Sequence, residues 1–103
     1  MKVKLEKQPD EDRRDELGIS GWSSWGKEAS KFDWSYSSTE TCYILEGAVT
    51  VHLPGSKSVS AEAGDLVQFP NGLSCTWEIT SDLRKVFTFG KVTLEPDEVI
   101  EVD

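Results

Sequence analysis

The chain predicts an all-β jelly-roll barrel with one short helix near the N-terminus, and three observations carry that reading. Apolar residues alternate with polar or small ones at Phe32, Trp34 and Tyr36 and again at Val49, Val51 and Leu53, the period-two pattern of half-buried strands. Turn-forming residues recur at short intervals, at Glu46-Gly47, Pro54-Gly55, Ala63-Gly64-Asp65, Pro70-Asn71-Gly72 and Ser81-Asp82, so many short strands have to be joined by tight connections. Finally, Glu40 and Gly47 on one side and Gly64, Pro70, Gly72 and Cys75 on the other are spaced so that two strand segments meet in one site.

Taken in order, the first element is the charged, alternating segment Met1 to Lys7. Pro9, Asp10 and Glu11 then read as a helix N-terminus, with acids at the positive end of the dipole, and Gly18 after Leu17 reads as its stop. From Trp22 onward the period is two. The Asn71-Gly72 pair tolerates positive φ, which predicts a hairpin joining Gln68–Pro70 to Ser74–Thr80 as neighbouring strands. Val86 to Phe89 continues the β pattern, and Glu98 to Val102 adds an edge strand guarded by its charges. The expected organisation is one domain, with the N-terminal strand and helix in 1–21, the barrel in 22–90 and an acidic extension or edge strand in 91–103.

Composition restricts the function. With 103 residues and 37% apolar content, a second core would leave each half too little surface to bury. The formal net charge of −8 repels phosphate backbones and anionic lipid, so nucleic acid and membrane are not expected partners. No apolar run approaches the roughly 20 residues that span a bilayer, and Met1 to Lys7 has no signal-peptide core. The expected location is the cytoplasm, or an organelle if a presequence has been removed.

The segment Glu40-Thr41-Cys42-Tyr43-Ile44-Leu45-Glu46-Gly47 resembles the first cupin motif, H-x-H, three or four residues, E, six residues, G. The segment Gly64-Asp65-Leu66-Val67-Gln68-Phe69-Pro70-Asn71-Gly72-Leu73-Ser74-Cys75 resembles the second, G, five residues, P-x-G, two residues, H. With Trp34 and Trp77, the run from Trp22 to Phe89 is similar to the small single-domain cupins of the (S)-ureidoglycine aminohydrolase-like family. That resemblance implies the double-stranded β-helix of the cupins, a metal held by three histidines and a glutamate, and metabolism of small nitrogenous compounds. It also implies a homodimer. At the four ligand positions this chain has Trp34, Tyr36, Glu40 and Cys75, of which Glu40 and Cys75 are good donors and Tyr36 a rare one. No metal or other cofactor is therefore expected, a weakly bound divalent ion being left open.

Strand parity puts Glu40, Cys42 and Ile44 on one face and Cys75, Trp77 and Ile79 on another. If both faces look inward, a carboxylate and a thiol meet in the pocket. Glu40 is then either a structural carboxylate or, in apolar surroundings, a general acid or base. Cys75 is the candidate second catalytic group, and Cys42 and Cys75 are otherwise interior hydrophobes or a disulfide. Parity turns either Arg84 or Lys85 inward. His52, out of phase with Val51 and Leu53, faces away from the core. Trp34, Tyr36 and Trp77, with Glu40, Cys42 and Cys75, are the candidate ligand-binding set, Trp34 and Tyr36 either lining the cavity or plugging it. Three functions follow: a barrel that binds a small polar metabolite, an aminohydrolase-like enzyme using Glu40 with Cys75 or Tyr36, or a dimeric interaction module.

Overall fold

The computed structural model describes residues 1–103 and is built around two long strands. The strands are β1 (Lys2–Glu6), β2 (Ser23–Lys27), β3 (Ser30–Ser35), β4 (Glu40–Leu53), β5 (Lys57–Glu62), β6 (Leu66–Phe69), β7 (Ser74–Phe89) and β8 (Glu98–Glu101). All pairings are antiparallel and belong to one sheet in the order β2-β7-β4-β6-β1-β8, with β3 added to β7 and β5 added to β4. The long strands change partner along their length. β7 takes β3 at Ser74–Ile79 and β2 at Leu83–Phe87, while β4 takes β6 at Glu40–Tyr43 and β5 at Ala48–Leu53. The sheet bends between these halves and closes on itself as a jelly-roll barrel.

The bend lies where two turns are expected from the sequence. Neither Glu46-Gly47 nor Ser81-Asp82 ends a strand; β4 and β7 run through them, with register shifts between Ile44 and Val49. Gly47 has φ +87, and a Cβ there would lie 2.2 Å from the carbonyl oxygen of Asp82. Glycine is thus needed both for the left-handed backbone and for the close approach of β7, which is what a bulge requires.

A second correction concerns Pro70-Asn71-Gly72. The chain does turn there, with Gly72 at φ +90, but the strands on either side are not paired to each other. β6 lies between β4 and β1, whereas β7 lies between β4 and the strands β2 and β3. The connection is an arch across the barrel, fixed when Tyr36 N–H donates to the Leu73 carbonyl (2.9 Å) and Gly72 N–H to the Tyr36 carbonyl (2.8 Å). Tyr36 is thereby anchored to the arch. Pro54-Gly55 and Ala63-Gly64-Asp65 are the turns that the sequence predicts.

The helix α1 (Glu11–Leu17) has the expected ends. Asp10 caps it by accepting from Arg13 N–H at 2.9 Å, and Gly18 closes it in the left-handed conformation. It fully buries no residue of its own, and its apolar contact is limited to Leu17, packed against the small cluster of Ile19, Leu66 and Leu94. The rest of its attachment is polar: Arg13 donates twice to the buried Glu6 carboxylate (3.0 and 3.1 Å) and once to the Thr93 carbonyl. No helix is long and apolar enough to cross a membrane.

Alternation fills the barrel as predicted. Val49, Val51 and Leu53 meet Ile79, Trp77, Leu83 and Phe69 in one core of 18 buried residues. β6 is buried on both faces, because Ile19 and Leu94 cover its outer side in a second, smaller cluster with Leu66. Gln68 also faces that side, its amide donating to Thr41 Oγ1 (2.9 Å) and to the Val92 carbonyl (2.7 Å). No buried side-chain nitrogen or oxygen lacks a partner. The terminal strands β1 and β8 pair with each other along the edge, Val3 opposite Ile100.

Candidate functional site

A cavity of about 210 Å³ opens at one end of the barrel. Its walls come from four places in the sequence: Trp25 on β2, Phe32 and Trp34 on β3 with Tyr36 just beyond, Glu40 at the start of β4, and Trp77, Lys85, Phe87 and Phe89 on β7. Trp34 and Phe89, 49% and 60% exposed, stand at the mouth, and Trp77 and Tyr36 lie buried in the interior. Trp34 and Tyr36 therefore line the cavity and do not fill it. The rings brace one another, Phe32 stacking on Trp77 at 6.3 Å and Tyr36 on Phe69 at 5.1 Å between centroids.

Two charged groups sit among these rings. Lys85 Nζ donates to Glu40 Oε2 at 2.7 Å, with side chains only 8% and 6% exposed. The same ammonium lies 4.6 Å from the ring centre of Trp77, 5.0 Å from Trp25 and 5.6 Å from Phe87. Burying two charges is costly unless they are paired and the rest of each group is compensated. Here the carboxylate neutralises the ammonium, and the ring faces supply the electrostatic attraction of cation–π contact, worth about 2 kcal/mol or more at a desolvated site. Of the two cations left open by parity, Lys85 is the inward one, and Arg84 pairs with Glu46 at the surface, 3.3 Å away.

Both members of this pair line the cavity. Glu40 Oε1 accepts no hydrogen bond from the protein, and it is not a buried orphan, so it is reached from the cavity. Lys85 has two further N–H groups with no protein acceptor. Tyr36 Oη accepts from Trp77 Nε1 at 3.1 Å, which leaves its own proton to donate. Burial, then the neighbouring Cys42 and Glu40, push the Tyr36 hydroxyl far above its usual pKa, so it is a donor at every ordinary pH. The floor of an otherwise apolar cup thus presents one acceptor and several donors.

The two thiols are not part of that floor. Cys42 and Cys75 are free and buried in the core, and neither is among the residues lining the cavity. Both share inward faces with lining residues, but a cysteine ends one atom beyond Cβ, while Glu40, Lys85 and Trp77 reach further. Cys75 Sγ instead points to the Trp34 carbonyl at 3.7 Å. Burial raises the Cys42 thiol to about 12 and the Cys75 thiol to about 11, the opposite of what a nucleophile needs. Neither cysteine reaches the cavity, whose lining adds Lys85 and the rings of Trp25, Phe32, Phe87 and Phe89 to the residues singled out from the sequence.

His52 lies on the outer face of β4, half-exposed, with Nε2 2.7 Å from Glu78 Oε1. That hydrogen bond, helped by Lys31, holds the Glu78 carboxyl below its usual range. It takes no part in the cavity.

The donor chemistry does not suit a metal ion at the four cupin ligand positions. Trp34 offers no donor atom, Glu40 is already neutralised by an ammonium 2.7 Å away, and no three His, Cys, Asp or Glu side chains cluster anywhere in the structure. Three protein ligands is the usual minimum for a catalytic zinc or iron centre.

An antiparallel jelly roll with an aromatic cup at one end, lined from β2, β3, β4 and β7, is a cupin barrel. Within that class the chain belongs to the EutQ-like cupin domain family, whose model matches residues 14–87. A DUF861 family protein from Thermotoga maritima is 44% identical, with a TM-score of 0.81 over 85% of this chain and 99% of that one. The EutQ protein of Clostridium difficile shares the fold at 19% identity and a TM-score of 0.57, covering 71% of each chain. No curated protein matches the chain.

Proposed function

We propose that this cupin binds a small polar metabolite in the aromatic cup, gripping its polar end with Glu40, Lys85 and Tyr36. The observation that carries the reading is the Glu40–Lys85 pair, held at 2.7 Å on the floor of an open apolar cavity with Glu40 Oε1 left free. At about 210 Å³ the cavity is smaller than the roughly 300–1,000 Å³ of drug-sized sites, which favours a metabolite of few atoms. The pair carries no net charge, so the ligand it suits is neutral or zwitterionic, with a planar body to stack between Trp77, Trp25 and Phe32. An N–H or O–H on that body meets Glu40 Oε1, and a carbonyl or carboxylate oxygen meets Lys85 and Tyr36.

The free oxygen of Glu40 also favours a second reading, in which it moves a proton on a small nitrogenous compound in the manner of the aminohydrolase-like cupins. Both readings meet one experiment. A panel of small neutral and zwitterionic metabolites is titrated against tryptophan fluorescence, since three of the four tryptophans wall the cup, and each mixture is assayed for a changed compound. A saturable signal with thermal stabilisation, lost in Glu40→Gln, supports binding. Turnover lost in the same variant supports the enzyme. A panel that leaves fluorescence and Tm unmoved counts against both.

A further inference from the structure

We propose that Lys85 captures small carbonyl compounds as a protonated imine, with Glu40 moving the protons. The inference rests on the reading that the cavity admits small molecules, and goes beyond it in assigning a covalent step and a class of substrate, aldehydes and ketones with a flat apolar body.

Three features carry it. Lys85 lines an open cavity, and only one of its N–H groups has a protein hydrogen-bond acceptor. A carboxylate oxygen lies 2.7 Å from that nitrogen, close enough to take its proton directly. The ring faces of Trp77 and Trp25 at 4.6 and 5.0 Å attract a cation at this point whether it is an ammonium or an iminium. The third feature bears on the product, whose positive charge stays in the same place against the same ring faces.

The step balances without an outside reagent. Glu40 takes one proton from the Lys85 ammonium, the freed amine attacks the carbonyl carbon, and one of the attacking nitrogen's protons passes to the new alkoxide oxygen to give a neutral carbinolamine. Glu40 then returns its proton to the departing hydroxyl. Water leaves, the C=N bond forms, and the nitrogen retains the positive charge opposite the regenerated carboxylate. Tyr36, whose hydroxyl proton is free, is placed to donate to the carbonyl oxygen during attack.

Benzaldehyde with sodium cyanoborohydride, followed by peptide mapping, tests the assignment. The expected result is a single benzyl group on Lys85, introduced at least about tenfold faster than on exposed lysines such as Lys2, the advantage that a nearby proton acceptor and a held carbonyl provide. Lys85→Arg keeps the cation and abolishes the fast adduct, and Glu40→Gln slows labelling at Lys85 while leaving the other lysines unchanged. Near-UV circular dichroism of the tryptophans verifies that both variants are folded. If either variant does not fold, the ratio of Lys85 to surface labelling in the unaltered protein decides alone.

Labelling of Lys85 no faster than of Lys2 overturns the proposal. Benzyl alcohol, which has the same ring but no carbonyl, separates this failure from that of the binding reading. If it perturbs tryptophan fluorescence while Lys85 remains unlabelled, the imine is wrong and the cup still binds. If it does nothing and Lys85 is unlabelled, both fall.

Discussion

Replacing Lys85 by Met unfolds the protein at a much lower urea concentration, with a loss of about 3–5 kcal/mol, the usual cost of removing one partner from a buried ion pair. The cost arises less from the lost attraction than from what stays behind. Glu40 remains inside the cup, 6% exposed, with aromatic rings where its counter-ion was. For a chain of this length a loss of that size lowers Tm by at least about 12 °C. The double variant, with Lys85→Met and Glu40→Leu together, recovers most of the stability, since a buried pair exchanged for apolar groups is close to neutral or stabilising. A double variant as unstable as the single one would mean that the pair is not buried as described. Recovery of stability with loss of ligand response would show that the charges serve function and not the fold.

Gly47→Ala gives the second large effect. Its φ of +87 lies where a side chain is strained by about 1–2 kcal/mol, and the added Cβ would meet backbone oxygens of Asp82 and Ser81 at 2.2 and 2.6 Å. Those atoms belong to β7 and cannot swing aside, so the two long strands have to separate at their bend. The expected loss is about 3 kcal/mol or more, read from urea unfolding. Gly55→Ala is the control. Gly55 has a similar φ of +79 but nothing within 4 Å of a Cβ, so it pays for the conformation alone. Equal losses at the two positions would show that the close approach of β4 and β7 carries no weight.

Gly47 also marks the limit of what the sequence displays. A glycine at positive φ is demanded by a turn and by a bulge alike, and nothing local distinguishes a chain that reverses at Glu46-Gly47 from one that bends and continues. The same holds at Ser81-Asp82, which lies against Gly47 in space and so forms the other half of one feature. At Pro70-Asn71-Gly72 the residues announce a turn but not the partners of the strands it joins; the arch depends on Tyr36, more than thirty residues away in the chain. Alternation, by contrast, is a local property, and Val49, Val51 and Leu53 face inward as the pattern says.

The site was legible to a similar degree. Glu40, Trp34, Tyr36 and Trp77 could be assigned to one end of the barrel from parity and motif spacing, and all four line the cavity. Parity also narrows the inward cation to Arg84 or Lys85. What decides between them is that Lys85 shares its face with Phe87 and Phe89, which could have been read from the sequence once those two rings were counted as wall. The cysteines mislead because parity gives direction and not reach. Both point inward, and both stop short of the cup.

The central claim, a buried ammonium gripped between a carboxylate and aromatic faces at the floor of an open cup, is tested most directly by the NMR signals of the lysine side chains. Ring currents from Trp77 and Trp25 should displace the Lys85 ε-methylene protons well upfield of every other lysine, the displaced signal should vanish in Lys85→Arg, and it should move again when a ligand fills the cup. A spectrum in which all lysine ε signals coincide at the position of a solvated chain would contradict the account.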